Sequence, residues 1–482
     1  MNRIVSSVMA GLLLASTAAC GGAGSGSASN QVQVWLTTPE KSKLLSQEES
    51  VKLTSGEDAQ DGDIILDETT KYQQMDGFGA SMTDSSAYLI ASRMTEQQRE
   101  TLMNQLFDHE QGIGISYMRI PLGASDFART LYSYDEMPAG ETDPQLANFS
   151  IDHDREFLIP TLKQALAINP DLKLMGSPWS APGWMKTSES MIGGGLKLEA
   201  YEPYANYFTK LIKAFEAEGV PFDAVTPQNE PHYVPDNYPG MRMEPFEQAE
   251  WIKRNLGPAF EREGIKTKIV IWDHNWDEYY YPMTVLSDAE ANRYIDGSAF
   301  HGYAGEVDNQ SKVHDAYPDK NMYFTEVSGG AWATEFGGNL KWDMHNLVIG
   351  ATRNWAKAVL KWNLALDEHY GPTIGGCQNC MGFVTIDQQS GDVTFNSDYY
   401  SIGHASKFVR SGAYRIESGP SDEQGIEQVA FQNPDGSIVL IAMNSAGEER
   451  ELHVRHGSKS FSYKLPAGAA ATFVLPAVDK KE

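Results

Sequence analysis

From Gly77 onward the sequence repeats one unit: a short apolar, β-rich run ending in polar or aromatic residues, a stretch of helical apolar spacing, then another run. Eight runs recur, at residues 77–82, 115–122, 172–179, 224–229, 268–273, 297–303, 322–327 and 359–366. Their starts lie about 25 to 57 residues apart, which leaves room for a helix and a variable loop, and residues 156–167 and 204–218 show the helical spacing. Eight βα units over roughly 330 residues predict an α/β fold, a (β/α)8 barrel. A doubly wound sheet would need a phosphate loop after its first strand. Neither G-x-G-x-x-G nor G-x-x-x-x-G-K-[ST] stands in such a place.

After about Gly403 the period changes. Short alternating runs at 413–417, 426–432, 437–444, 449–455, 460–464 and 470–475 follow one another, and Asn433-Pro434-Asp435-Gly436 marks a hairpin turn between two of them. Upstream of the barrel, residues 31–36 alternate as a strand and 41–56 is polar with few apolar anchors. The expected organisation is an N-terminal β segment at 31–75 that joins a sandwich, a barrel at 76–402 and a C-terminal β-sandwich at 403–482.

Composition narrows the partners. The 41% hydrophobic and 21% charged shares are globular and exclude a disordered chain, a collagen or a coiled coil. With 65 acidic against 38 basic residues the net charge is −27, which repels phosphate backbones and anionic headgroups. No basic cluster overcomes that field locally, so nucleic acid is excluded as a partner.

Residues 1–20 read as a secretory signal: Arg3 supplies a positive start, and the apolar stretch from Val8 to Ala15 is too short to span a bilayer. Thr17-Ala18-Ala19-Cys20 before Gly21-Gly22 is close to a bacterial lipoprotein signal, with Cys20 as the lipidated mature N-terminus. Thr17 stands where such signals prefer Leu, and cleavage at nearby small residues is the alternative. Residues 21–30, almost all Gly, Ser and Ala, form a flexible linker. The expected location is outside the cytoplasm, on the outer membrane through a lipid anchor, or otherwise periplasmic or secreted. Cys377 and Cys380 are spaced C-x-x-C in a Gly-rich loop; a zinc site lacks partner ligands, a redox site lacks its helix start, and a short-loop disulfide is favoured in an oxidising compartment.

In a barrel enzyme the chemistry sits where the strands end. The second run leads from Arg119 and Pro121 to Asp126, the third ends Ser177-Pro178-Trp179, and the fourth ends Asn229-Glu230-Pro231. The sixth holds His301 and Tyr303, the seventh ends Thr325-Glu326, and the eighth holds Trp362-Asn363. Two carboxylates at strand ends among aromatic platforms form the constellation of a glycosidase, one acid to protonate the leaving oxygen and one carboxylate to attack the anomeric carbon. Glu230 and Glu326, on runs four and seven, are the catalytic pair in this reading. Their placement across the barrel mouth is compatible with the ~5–5.5 Å spacing of a retaining mechanism, and the charge of one raises the pKa of the other.

The stretches Asp76-Gly77-Phe78-Gly79-Ala80-Ser81-Met82-Thr83-Asp84, Arg119-Ile120-Pro121, Ser177-Pro178-Trp179-Ser180-Ala181-Pro182-Gly183-Trp184, Gln228-Asn229-Glu230-Pro231 and Trp362-Asn363-Leu364-Ala365-Leu366 resemble glycoside hydrolase family 30, the glucosylceramidase-like enzymes, in their order along the chain. The resemblance implies a (β/α)8 barrel fused to a β-sandwich built from both chain ends, and hydrolysis of β-glycosides with retention. It implies Glu230 as general acid/base and Glu326 as nucleophile. Asp126, Trp179, Asn229 and Trp362 would then hold the sugar in the −1 subsite, and Tyr303 with His301 would approach the nucleophile. Gly302 and Lys361 depart from the animal glucosylceramidases, which carry Trp and Asp there, so the aglycone preference of those enzymes is not implied. The substrate expected is β-1,6-glucan or β-1,6-glucosyl branches, with a glucosylceramidase or a broader β-glucosidase/β-xylosidase as alternatives. An inactive carbohydrate-binding relative is expected to lose one carboxylate, and both are present. No metal or organic cofactor is implied, since the 11 His are scattered, and membrane contact would come only through the lipid anchor.

Overall fold

The computed structural model describes residues 30–55, 62–420, 422–423 and 425–477. The expected signal, Cys20 and the linker up to residue 29 lie outside the described residues.

Eight parallel strands close into a barrel: β1 (Gly77–Ser81), β2 (Tyr117–Pro121), β3 (Lys173–Ser177), β4 (Ala224–Val225), β5 (Lys268–Asn275), β6 (Ile295–His301), β7 (Asn321–Glu326) and β8 (Ala356–Lys361). Each pairs with the next in sequence, and β8 pairs with β1. The eight apolar runs all land on these strands, with three local differences. β4 stops after two residues because Pro227 brings no N–H to the ladder. β5 runs on to Asn275 through a bulge at Trp272–His274, where Trp272 and Asp273 take φ of 73° and 64°. β8 ends at Lys361, and the left-handed Asn363 (φ 65°) turns the chain into a separate strand, Ala365–Asp367, paired with Val384–Ile386.

The period of two along the strands sorts the barrel interior into layers. One layer is apolar: Tyr117, Met175, Ala224, Val270, Ala299, Tyr323, Ala358 and Leu360 form a single cluster. Two residues further toward the C-terminal ends the sequence offers polar side chains instead: Arg119, Ser177, Thr226, His301 and Thr325, all buried. The site is built on that switch.

Strand Gln31–Thr37 pairs with Ala470–Leu475, and Ile64–Gln74 pairs with Tyr414–Gly419, so both chain ends share one twelve-stranded sheet. Strand Ile438–Asn444 is buried throughout. Its alternate residues divide between two cores, Ile438, Leu440 and Ala442 inside the sandwich and Val439, Ile441 and Met443 in the core shared with the barrel. That explains its unbroken apolar run, since a strand covered on both faces loses the polar alternation. Helix Ser397–Ser406 runs across residue 403 and packs between β1 and the Ala470–Leu475 strand. From it the buried His404 meets Thr472 and Thr37, both at 2.9 Å, tying the barrel to strands from both ends of the chain. Burial pushes the His404 imidazole down to about 3, so it bonds as a neutral ring.

Candidate active site

Arg119 and Asp273 organise the polar layer at the barrel mouth. Both are fully buried, and a guanidinium donor of Arg119 lies 2.7 Å from Asp273 Oδ2. The same cation donates to Glu326 Oε2 at 2.5 Å, Asn229 Oδ1 at 2.6 Å and Ser177 Oγ at 3.2 Å. Asp273 accepts further bonds from Ser177 at 2.6 Å, Thr226 at 2.8 Å and Thr325 at 2.7 Å. Burial alone would raise the Asp273 carboxyl, but Arg119, His301 and Ser177 outweigh it and hold it well below the carboxylate range. Removing the guanidinium would leave buried charge unpaired, a cost of about 3–5 kcal/mol.

Glu230 follows β4 in a left-handed conformation (φ 45°), a strain of about 1–3 kcal/mol for a non-glycine residue. Its N–H bonds to the Asp273 carbonyl at 3.0 Å, which fixes the turn. His301, at the end of β6, bridges the layer: Nδ1 lies 3.0 Å from Glu230 Oε1 and Nε2 3.0 Å from Asp273 Oδ1. Burial works against its charge, yet Glu326, Asp273 and Glu230 push its pKa up to about 9, so at neutral pH it is an imidazolium donating through both nitrogens. Glu326 ends β7. Tyr303 donates to its Oε1 at 3.0 Å while Arg119 holds Oε2.

Glu230, His301 and Glu326 each offer a ligand atom within 4.8 Å of the others. That set could hold a cation, but Arg119 and protonated His301 already supply the positive charge these carboxylates need, and the arrangement suits proton transfer. The two glutamates titrate as one unit. Burial, reinforced by Glu230 and Asp273, pushes Glu326 up against the pull of His301 and Arg119. At Glu230 burial is outweighed by the hydrogen bond from His301 and the charges of His274, His301 and Arg119, and its carboxyl lies below the ordinary value.

A cavity of about 670 Å3 opens above this pair, and Asp126, Trp179, Asn229, Glu230, Tyr303, Glu326 and Trp362 all line it. The indoles of Trp179 and Trp362 stack with centroids 4.9 Å apart, and Arg119 lies 4.8 Å from the Trp179 ring. Asp126 is buried, and burial together with the charge of Glu326 pushes its carboxyl well above the ordinary value. Cys377 and Cys380 are disulfide-bonded and form part of the wall. His301 sits beneath, reaching the site through Glu230. Sequence reasoning reached Arg119 as a run end without giving it a role, and passed over Asp273. For Arg119 the available signal was its inward register two residues beyond Tyr117 in the apolar layer, whereas Asp273, three residues beyond Val270, turns inward only through the bulge. Lys361 is buried at the edge of an adjoining cavity, with Nζ on Asp343 at 2.6 Å and on Asp398.

A model of the glycosyl hydrolase family 30 TIM-barrel domain matches residues 75–409, and one of the family's beta sandwich domain matches residues 412–473. An endo-1,6-beta-D-glucanase of Neurospora crassa is 34% identical over 441 residues, covering 86% of this chain and 88% of its own. The lysosomal acid glucosylceramidase of Mus musculus is 30% identical over 436 residues, 84% of this chain and 81% of its own. Among solved structures, the endo-beta1,6-glucanase BT3312 matches with a TM-score of 0.87 and 34% identity, covering 93% of this chain and all of that one.

Proposed function

This chain belongs to glycosyl hydrolase family 30 and is a glycoside hydrolase, and we propose that within it the protein cleaves β-1,6-linked glucan by double displacement with retention of anomeric configuration. The observation that carries the mechanism is the approach of Glu230 and Glu326, whose carboxylate oxygens lie within 4.8 Å across the mouth. An approach that close suits the ~5–5.5 Å spacing of a retaining pair better than the ~6.5–9.5 Å of an inverting one. The names of similar proteins support the linkage: relatives 33–34% identical are endo-1,6-beta-D-glucanases of three fungi.

In this reading Glu326 attacks the anomeric carbon, oriented by Arg119 on one oxygen and Tyr303 on the other. Glu230 gives its proton to the departing glycosidic oxygen and then takes one from water to release the glycosyl ester. The stacked Trp179 and Trp362 offer the wall for the sugar, and Asp126, whose Oδ1 is buried without a partner among the described residues, can bond one of its hydroxyls. The reactive form has Glu230 protonated and Glu326 ionised. Activity should therefore show a bell-shaped dependence on pH, falling when Glu326 gains a proton and when Glu230 loses one.

Glu326→Gln tests the assignment. An amide cannot form the glycosyl ester, so a folded variant should keep less than about a tenth of wild-type kcat/KM on an aryl β-glucoside. More than that removes Glu326 from the nucleophile role. Export through residues 1–20 with lipidation at Cys20 is part of the proposal and rests on the sequence alone; a Cys20→Ala variant that still partitions with membranes would rule out the anchor.

A further inference from the structure

A second cavity of about 670 Å3 adjoins the catalytic one, and Tyr303, Ser328 and Trp332 border both. Its walls stand out in this molecule. Of the ten tryptophans in the chain, only Trp332 and Trp342 are exposed in the described structure, at 55% and 40%, and both line this cavity. Leaving large indoles in water on either side of one depression is a liability unless a ligand covers them.

The loop after β7 holds Trp332 in place. Gly329–Gly330 pairs with Cys380–Met381, Ala331 donates to the Asn379 carbonyl at 2.8 Å, and the Trp332 ring lies against Gly330, where an added Cβ would come within 2.0 Å of it. Trp342 stands on helix Phe336–Asp343, with Asn339 lining the cavity from the same helix. The buried Lys361 with Asp343 and Asp398 lies at the cavity's edge, and Gly302 also borders it, so both positions that depart from the animal glucosylceramidases fall here. Flat apolar faces beside hydrogen-bonding side chains suit sugar rings, which are apolar on their faces and polar at their edges.

We infer that this second cavity is a subsite for further glucosyl residues of a β-linked glucan chain whose reacting residue lies at Glu230 and Glu326. The inference rests on the glucan reading above and adds where the rest of the chain lies. Occupancy of this cavity favours polymer over single-sugar glycosides, because an aryl β-glucoside reaches only the first cavity.

Trp342 borders the second cavity and not the first, so Trp342→Ala separates the two. With an unchanged thermal midpoint, this variant should lose about tenfold or more in kcat/KM on β-1,6-glucan and its longer oligomers, while its kcat/KM on an aryl β-glucoside stays within about twofold of wild type. Trp342→Phe, which keeps an aromatic face, should recover part of the loss. An equal loss on both substrates, or no loss on the long ones, overturns the subsite. A wild-type protein that cleaves the aryl glucoside and no β-1,6-glucan gives a different pattern: it removes the substrate reading, and the inference with it.

Discussion

Glu230 and Glu326 occupy chemically distinct surroundings, and that difference sets the pH behaviour. Glu230 accepts from protonated His301 and lies below its ordinary value, whereas Glu326 accepts from Arg119 and Tyr303 and is pushed up by burial. The high-pH limb of kcat/KM reports loss of the proton that the pair shares. In Glu230→Gln the proton on residue 230 is gone, so on an activated aryl glucoside the high-pH limb should vanish while the acidic limb, which reports Glu326 beside an uncharged partner, remains. Substrates with poor leaving groups should lose about 100-fold more activity than activated ones, since only they need the proton. Equal losses, or a surviving high-pH limb, contradict the acid/base role. Sequence alone revealed both glutamates, because each closes an apolar run with unusual neighbours. Asp273 escaped notice because it turns inward only through the bulge at Trp272–Asp273, and no glycine marks those two positive φ angles.

Elements meet at the site through close backbone approaches. Gly376, at φ 69° in the disulfide loop, lies so near the substrate cavity that an added Cβ would come within 2.7 Å of Asp126 Cβ and 2.8 Å of its Oδ2. Gly376→Ala should therefore displace Asp126 and cost about tenfold in kcat/KM on an aryl β-glucoside, with at most about 2 kcal/mol of stability lost to the left-handed backbone. Unchanged kinetics in a variant whose urea midpoint falls would confine the role of Gly376 to folding. All eight strands were readable from the apolar runs, but their ends were not. The two-residue β4 needed Pro227 to be weighed as a missing ladder donor, and the turn at Asn363 is visible only as a left-handed residue. Lys361 carried a similar lesson. Its partners Asp343 and Asp398, about 18 and 37 residues away in sequence, neutralise it in the interior, and that pairing is not visible in the sequence.

At the scale of the whole molecule, the sandwich joins both chain ends and braces the barrel through the Ser397–Ser406 helix. The alternation in residues 31–36 anticipated that the N-terminal segment pairs with the C-terminal strands, and its partner, Ala470–Leu475, became evident only from the register. The charge of −27 bears on substrate choice. A strongly acidic body is repelled by anionic lipid surfaces and indifferent to a neutral glucan. We therefore expect kcat/KM on β-1,6-linked glucose oligomers at least about ten times that on glucosylceramide presented in anionic-lipid vesicles, about 1.4 kcal/mol in transition-state binding. Equal or better turnover of glucosylceramide would reverse the substrate ranking and leave the two-carboxylate mechanism standing.

The mechanism itself is tested most directly by the configuration of the first sugar released. Proton NMR during the opening minutes of β-glucoside hydrolysis, before mutarotation, should show the β-anomer, because displacement at Glu326 followed by water inverts the anomeric carbon twice. If the α-anomer appears first, a single displacement has occurred and Glu326 is not a nucleophile.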